Sequence, residues 1–340
     1  MNILIYGAGA IGCHIAYCMY VTRHTPYLIA RGQHYEQMKK YGMHIKICDN
    51  EILKDEKFIK EDSRFYIVND VNKVKDTKMD YIFITVKLND YNDKTLQDLY
   101  PFMGKDTAVI PPCTELPFWW FYDLNGKSNE KYKDIDFNPE VSRYFIRENI
   151  IGMTMWLSSV IESPGHVCVK HVQRGYPLKE LYPNMKERAE KLRSIFQITC
   201  MSPVVDNIRS EIFIKSINAF AFNLVALDRE CDNVQLSHDK YGQDCIRKIM
   251  IEGEQILRIL NIPVIQEIED RITQTLSSTK HTMSMLHDYR MGKQIELSAL
   301  WQSFDSFCKI LGINMGYSRD MYEKVMAKIS AKKHATVLKR

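Results

Sequence analysis

The 340-residue chain has almost no excess of either charge: 46 Lys and Arg against 42 Asp and Glu leave a formal net charge of +4. A field that weak does not draw in nucleic acid, although it tolerates an anionic cofactor or substrate. No stretch of ~20 uninterrupted apolar residues is present, which argues against a membrane span. The nine cysteines, at 13, 18, 48, 113, 168, 200, 231, 245 and 308, are odd in number and form no Cys-x-x-Cys pair. A disulfide framework is therefore disfavoured, and reduced thiols in a cytoplasmic protein are expected. Cys13 and Cys18 flank a helical turn and read as core packing. Internal repeats and low-complexity tracts are also missing. The segment "MNILIYGAGAIGCHIAY" lacks a basic leader and a cleavage signal, so it reads as a buried strand.

What is present alternates. Short apolar strands at "NILIY" (2–6), "PYLIA" (26–30), "DYIFITVK" (80–87) and "DTAVIPP" (106–112) are each followed by a turn or a helical pattern. That rhythm predicts an α/β fold built on a doubly wound parallel sheet. The stretch between residues 44 and 68 looks like strand hairpins, and residues 120–148 like a polar surface excursion. Strands return in "IIGMTMWLSSVIESPGHVCVKH", with "SPG" as a turn, and "MSPVVDNIRS" carries the last strand signal. Helical patterns then fill 206–228, 238–261, 264–275, 281–308 and 317–330. The expected division is a domain of residues 1–203 and an all-helical domain of residues 204–340, with a frayed basic tail.

Gly7, Gly9 and Gly12 of "GAGAIG" follow the first strand and open a helix, the context a dinucleotide-binding loop requires. Gly7 permits the tight turn, Gly9 lets a pyrophosphate approach the backbone, and Gly12 lets helix and strand pack closely. Ala8, Ala10 and Ile11 complete the loop, and the helix N-terminus offers its N–H groups to phosphate. The competing reading is a glycine turn without a ligand. After the second strand an NAD-specific fold places Asp or Glu. This chain has "LIARGQH", and Arg31 suits a 2′-phosphate, so NADP is expected. The alternative for Arg31 is an ordinary exposed residue at a strand end.

"EIFIKSINAFAFNLVAL" (211–227) holds one lysine, Lys215, in an apolar helical run. Desolvating it costs several kcal/mol unless the charge is paired or does work. Positions four apart advance about 40° per step, which puts Ala219 and Asn223 on its face with Asn218 nearby. The plain alternative is a snorkelling lysine. A second stretch, "TMSMLHDYRMGKQIELSAL", carries Ser284, Asp288 and Glu296 around a break at Gly292, and a carboxylate from it could hold the lysine protonated. His166, Cys168 and His171 are unevenly spaced and are not read as a metal site. "PFWWF" (117–121) reads as a packed lid or helix start.

With these residues in hand, the chain resembles the ketopantoate reductase (2-dehydropantoate 2-reductase) family. The likeness runs in order through "GAGAIG", "ARGQH", "FITVK", "ELPFWWF", "ESPGHV", the lysine helix and "SMLHD…GKQIE". It implies a Rossmann-type domain joined to a helical one with the site in the cleft between them, and a dimer through the helical domain. It also implies NADPH reducing a small 2-oxo acid. By that resemblance Lys215 is the general acid, Glu296 a carboxylate near cofactor and substrate, and Asn223 and Ser284 substrate contacts. Lys87 would line the cofactor side. The family's Gln-Asn-Gly after the fourth strand is replaced by "CTE", which puts Thr114 and Glu115 at the Asn and Gly positions. Ala219 stands where the family has Asn, and Asn218 points ~100° from it. Three readings remain: a ketopantoate reductase, a reductase of another 2-oxo acid, and an NADP-binding protein without turnover.

Overall fold

A computed structural model describes all residues except 50–51, 75–77, 112–113, 125–126, 134, 137, 183–184, 186, 279 and 338–340, and only the backbone of 127–128 and 332–337. The chain forms two compact units. The first comprises Met1–Cys113, Phe118–Leu124 and Tyr132–Ile208; the second comprises Thr114–Pro117, Asn125–Lys131 and Arg209–Arg340.

The first unit runs β1 (Asn2–Tyr6), α1 (Ala10–Val21), β2 (Thr25–Ile29), α2 (Gly32–Tyr41), β3 (Met43–Asp49), β4 (Ile52–Ile59) and β5 (Tyr66–Val68). It continues through β6 (Tyr81–Ile84), α3 (Asp93–Leu99), β7 (Ala108–Ile110), α4 (Pro139–Ser142) and β8 (Ile151–Met153). It closes with β9 (Trp156–Ser163), β10 (His166–Gly175), β11 (Leu178–Glu180) and α5 (Glu187–Thr199). Five strands make a parallel sheet in the order β5-β2-β1-β6-β7. Both faces are covered. Ile3, Ile5 and Phe83 pack with Cys13, Ile15 and Phe196 on one side, while Leu4, Ile82 and Ile84 meet Leu96 and Leu99 of α3 on the other. Burial on both faces is why these strands read as continuous apolar runs. The strand order reverses at β1, so a crevice opens at the carboxyl ends of β1 and β6.

Several expectations need correction. β6 stops at Ile84, because Thr85 turns to strap the glycine loop. β3 and β4 do form a hairpin, but β5 leaves it and pairs parallel with β2. No strand forms at 201–205. Helix α5 was not foreseen, although Ala189, Leu192, Ile195 and Phe196 have helical spacing and are buried. The excursion at 120–148 is not surface throughout: Trp120, Phe121, Tyr122, Leu124 and Tyr132 are buried. "PFWWF" is core, with Trp119 and Trp120 fully enclosed in a turn rather than forming a lid.

The second unit is helical: α6 (Ile208–Arg229), α7 (Asn233–Ser237), α8 (Lys240–Ile259), α9 (Ile268–Leu276), α10 (Ser284–Arg290), α11 (Leu297–Leu311) and α12 (Gly316–Val337). The run expected at 281–308 splits into α10 and α11 around Gly292, whose φ of 68° is open to glycine at little strain. The basic tail continues α12 as far as Val337, and its last three residues lie outside the described ones. α6 is the core of the unit. Phe213 and Phe220 pack on Phe304 of α11, and Gly253 of α8 lets that helix cross so closely that a Cβ there would meet Ile217 Cδ1 at 2.5 Å. By length and composition α6 is long and apolar enough to cross a membrane, but 83% of that stretch is buried inside the protein, as in a core helix.

Candidate functional site

In the first unit the glycines divide their labour. Gly7 has φ +122°, and a Cβ on it would lie 2.9 Å from the backbone of Thr85 and Val86. A Cβ on Gly12 would fall 1.9 Å from the Gly7 carbonyl. Both positions are closed by the protein itself. Gly9 is different: its Cβ would meet nothing nearer than the Thr85 carbonyl at 4.0 Å. It caps α1 with φ −68° and no side-chain hydrogen bond, and no acid stands in the helix's first turn. The loop therefore leaves open the side from which a phosphate would meet backbone N–H groups, and it fits a dinucleotide. Ala10 and Ile11 are partly exposed there, and Ala8 accepts from Cys13 Sγ behind them. Thr85, which sequence reading passed over, fastens the loop by donating to the Gly7 carbonyl at 2.7 Å and the Tyr6 carbonyl at 3.4 Å.

These contacts separate a ligand-facing glycine from a packing one. Gly9→Ala is expected to fold with unchanged thermal stability yet bind dinucleotide at least ~10-fold more weakly, as a methyl group in the phosphate path should. Calorimetry and ligand titration of that variant check both halves.

Arg31 caps α2 at the end of β2, and its side chain is 81% exposed. Its guanidinium is not idle: Nη2 lies 2.5 Å from Asp90 Oδ2. Asp90 was missed because only the parallel pairing of β1 with both β2 and β6 brings the end of one loop to the other. Lys87 is exposed and starts the turn Leu88–Asp90 that carries this aspartate.

The second unit answers the question raised by the lone lysine. Every residue of α6 from Ile208 to Leu227 is buried except Lys215, Asn218 and Ala219. Their spacing of three and four places them on one face. This window is the accessible part of an otherwise enclosed helix. Burial pushes the Lys215 ammonium below the ordinary lysine range. Asn218 Oδ1 is buried without a hydrogen-bond partner among the described residues, so one end of its amide is uncommitted. Asn218, expected as a substrate contact at the edge of the lysine's face, shares the window with Lys215 although it points away from the Ala219 position.

Asn223, expected as a substrate contact, already has two protein partners. Its Nδ2 donates to the Ala219 carbonyl at 2.8 Å, its Oδ1 accepts from Met285 N at 2.9 Å, and the residue is buried. The amide anchors the first turn of α10. Ser284, the first residue of α10, is exposed, and Glu296 caps α11 with its side chain partly accessible.

Thr114, at the position where by the resemblance an Asn touches cofactor and substrate, belongs by contacts to the second unit. Its segment rests on α11 through Leu116 N, which donates to Ser303 Oγ at 3.4 Å. Glu115 is partly accessible, but its carboxyl is desolvated. Burial first, and the Glu296 carboxylate second, push it up to about 8. At neutral pH it holds a proton.

The remaining candidates have structural partners. His166 Nδ1 lies 2.6 Å from His44 Nδ1, whose Nε2 meets Glu56, and His171 pairs with Asp49 at 3.0 Å. Cys13 and Cys18 are fully buried. Among the described residues no group of three or more such side chains is arranged for a metal ion.

Known proteins match both units. Residues 3–112 fit the family model described as ketopantoate reductase PanE/ApbA, and residues 207–329 fit its C-terminal counterpart. The chain belongs to the ketopantoate reductase family. It is 24% identical over 305 residues to a 2-dehydropantoate 2-reductase of Mesorhizobium japonicum, covering 88% of this chain and 89% of that protein. A 2-dehydropantoate 2-reductase of Pyrococcus horikoshii is also 24% identical, over 97% of this chain and 98% of its own. Among solved structures, 2-dehydropantoate 2-reductase from Methylococcus capsulatus superposes with TM-score 0.73 at 20% identity, covering 98% and 97% of the two chains. A D-mandelate dehydrogenase with NADH and anilino(oxo)acetate gives 0.75 at 21%, covering 97% and 99%. Likeness at that identity establishes the fold. The ketopantoate reductase fold, a Rossmann-type sheet followed by an all-helical region, is thus the one the strand and helix rhythm implies, and the family is one of oxidoreductases.

Proposed function

We propose that this protein is an NADPH-dependent reductase that converts a 2-oxo acid to the 2-hydroxy acid, ketopantoate to pantoate first of all, as pantothenate biosynthesis requires. The observation that carries the proposal is the window on α6, where a desolvated lysine and an uncommitted amide are the accessible groups of a buried helix. The glycine loop at the end of β1 would hold the pyrophosphate and Arg31 the 2′-phosphate. Reduced nicotinamide, when bound, supplies a hydride for the C2 carbonyl. Lys215 does the rest of the chemistry: its ammonium polarises the ketone oxygen and delivers a proton as alkoxide charge develops. Asn218 Oδ1 accepts a hydrogen bond from the substrate's hydroxyl, with Ser284 and Glu296 as further polar contacts. We place the enzyme in the cytoplasm, as a homodimer acting on a free small molecule.

A second reading, reduction of a different 2-oxo acid, is favoured by Glu115. A protonated carboxyl beside Glu296 offers a hydrogen-bond donor where the family has glycine. Ranking kcat/KM over ketopantoate and a panel of 2-oxo acids decides the matter: ketopantoate ahead by tenfold or more supports the first reading, and another acid ahead supports the second.

Arg31→Ala is expected to weaken NADPH about 10- to 100-fold, the loss of a charge-assisted hydrogen bond, with NADH changed little. Equal losses for both cofactors would show that Arg31 does not read the 2′-phosphate.

A further inference from the structure

Arg31 reads as a phosphate-binding residue, yet it is already occupied by Asp90. The aspartate is held in place by its own backbone. Its N–H donates to the Lys87 carbonyl at 2.8 Å, and its carbonyl accepts from Thr95 Oγ1 at 2.7 Å. Thr95 in turn lies in the first turn of α3, which Asn92 caps through Thr95 N at 3.2 Å. A backbone so anchored keeps the half-exposed carboxylate within reach of the guanidinium. In NAD-specific folds an acid from the end of the second strand holds the ribose hydroxyls. Here an acid reaches the end of β2 from the loop after β6 instead.

We infer that Asp90 tunes cofactor choice: by holding Arg31 in an ion pair that a 2′-phosphate must break, it moderates the preference for NADP over NAD. The inference rests on the cofactor reading given above and names the residue that adjusts it. Asp90 is a positioning residue acting through Arg31, and a second negative charge close to the 2′-phosphate works in the same direction.

The test is titration of NADPH and NADH, and of adenosine 2′,5′-bisphosphate against AMP, into the full chain and its variants. Asp90→Asn is expected to tighten NADPH and the bisphosphate about fivefold, the size of one exposed ion pair no longer broken on binding. NADH and AMP should change by less than about twofold, since they lack the group that competes. Asp90→Glu, which restores the charge, should return the NADPH to NADH ratio toward that of the unmodified protein. In an Arg31→Ala background, Asp90→Asn should gain less than it does with Arg31 present. An unchanged NADPH to NADH ratio in Asp90→Asn, in a protein that binds both cofactors, would overturn this inference alone. Failure of the unmodified protein to bind either dinucleotide would overturn the cofactor reading, and this inference with it.

Discussion

Lys215→Ala is expected to lower kcat by about 10²- to 10⁴-fold, the range a positioned general acid contributes. NADPH affinity should stay within about twofold, because the glycine loop and Arg31 are untouched. Lys215→Arg separates the lysine's two duties. A guanidinium keeps the positive charge that draws an anionic acid but does not give up its proton at any working pH. KM should therefore be nearly preserved in that variant while kcat is lost. The unmodified enzyme carries a further signature: because burial lowers the lysine's pKa, kcat should fall on the alkaline side at a pH below the ordinary lysine range. Stopped-flow hydride transfer and a pH series of kcat check all three expectations. A Lys215→Ala variant with near-normal turnover would remove the proton donor from the account.

Glu115→Gln is expected to act on pH dependence and stability together. The unfolded chain gives up this proton near 4.5, the ordinary glutamate value, whereas the folded protein holds it until about 8. Between those values the folded state binds more protons, so its stability falls as pH rises. The penalty is absent below the lower value and complete above the upper one. Glutamine cannot ionise, so the variant should match the unmodified protein near pH 4 and exceed it in Tm at pH 8 by several °C or more, the penalty of a shift that size being at most ~4 kcal/mol. Kinetically, ionisation of Glu115 beside Glu296 places a second negative charge where an anionic substrate is to bind. KM of the unmodified enzyme should rise several-fold above pH 8, and Glu115→Gln should abolish that rise. The two alkaline effects are separable, since Glu115 governs KM and Lys215 governs kcat. A Glu115→Gln enzyme with an unchanged KM profile would show that its carboxyl does not touch the substrate's field.

Much of the cofactor half was legible because its signals are local. A glycine's turn, an arginine at a strand end and alternating apolar strands are each read within a few residues. The lysine window was half legible: the face through Lys215 could be drawn on a helical wheel, but not which part of that wheel neighbouring helices leave open. Asn223 illustrates the limit. It sits two turns along the same face, yet α10 lands on it and donates to its Oδ1, while its Nδ2 donates to the Ala219 carbonyl of its own helix. Asn218, at the edge of the same face, keeps a buried amide oxygen without a hydrogen-bond partner among the described residues. Asp90 and Thr85 were illegible for another reason, since their partners are 59 and 78 residues away and meet only through sheet pairing. Buried Trp119 and Trp120 made the same point in reverse: an aromatic cluster next to a polar stretch became core, with Trp119 packed over Gly152 of β8.

The most direct measurement is the stoichiometry of the unmodified protein's reaction: NADPH consumed against 2-hydroxy acid formed, with ketopantoate and then other 2-oxo acids. One equivalent of hydroxy acid per NADPH with at least one of them is the expected result. Tight NADPH binding with no hydroxy acid from any of them would contradict the account and leave a dinucleotide-binding protein without turnover.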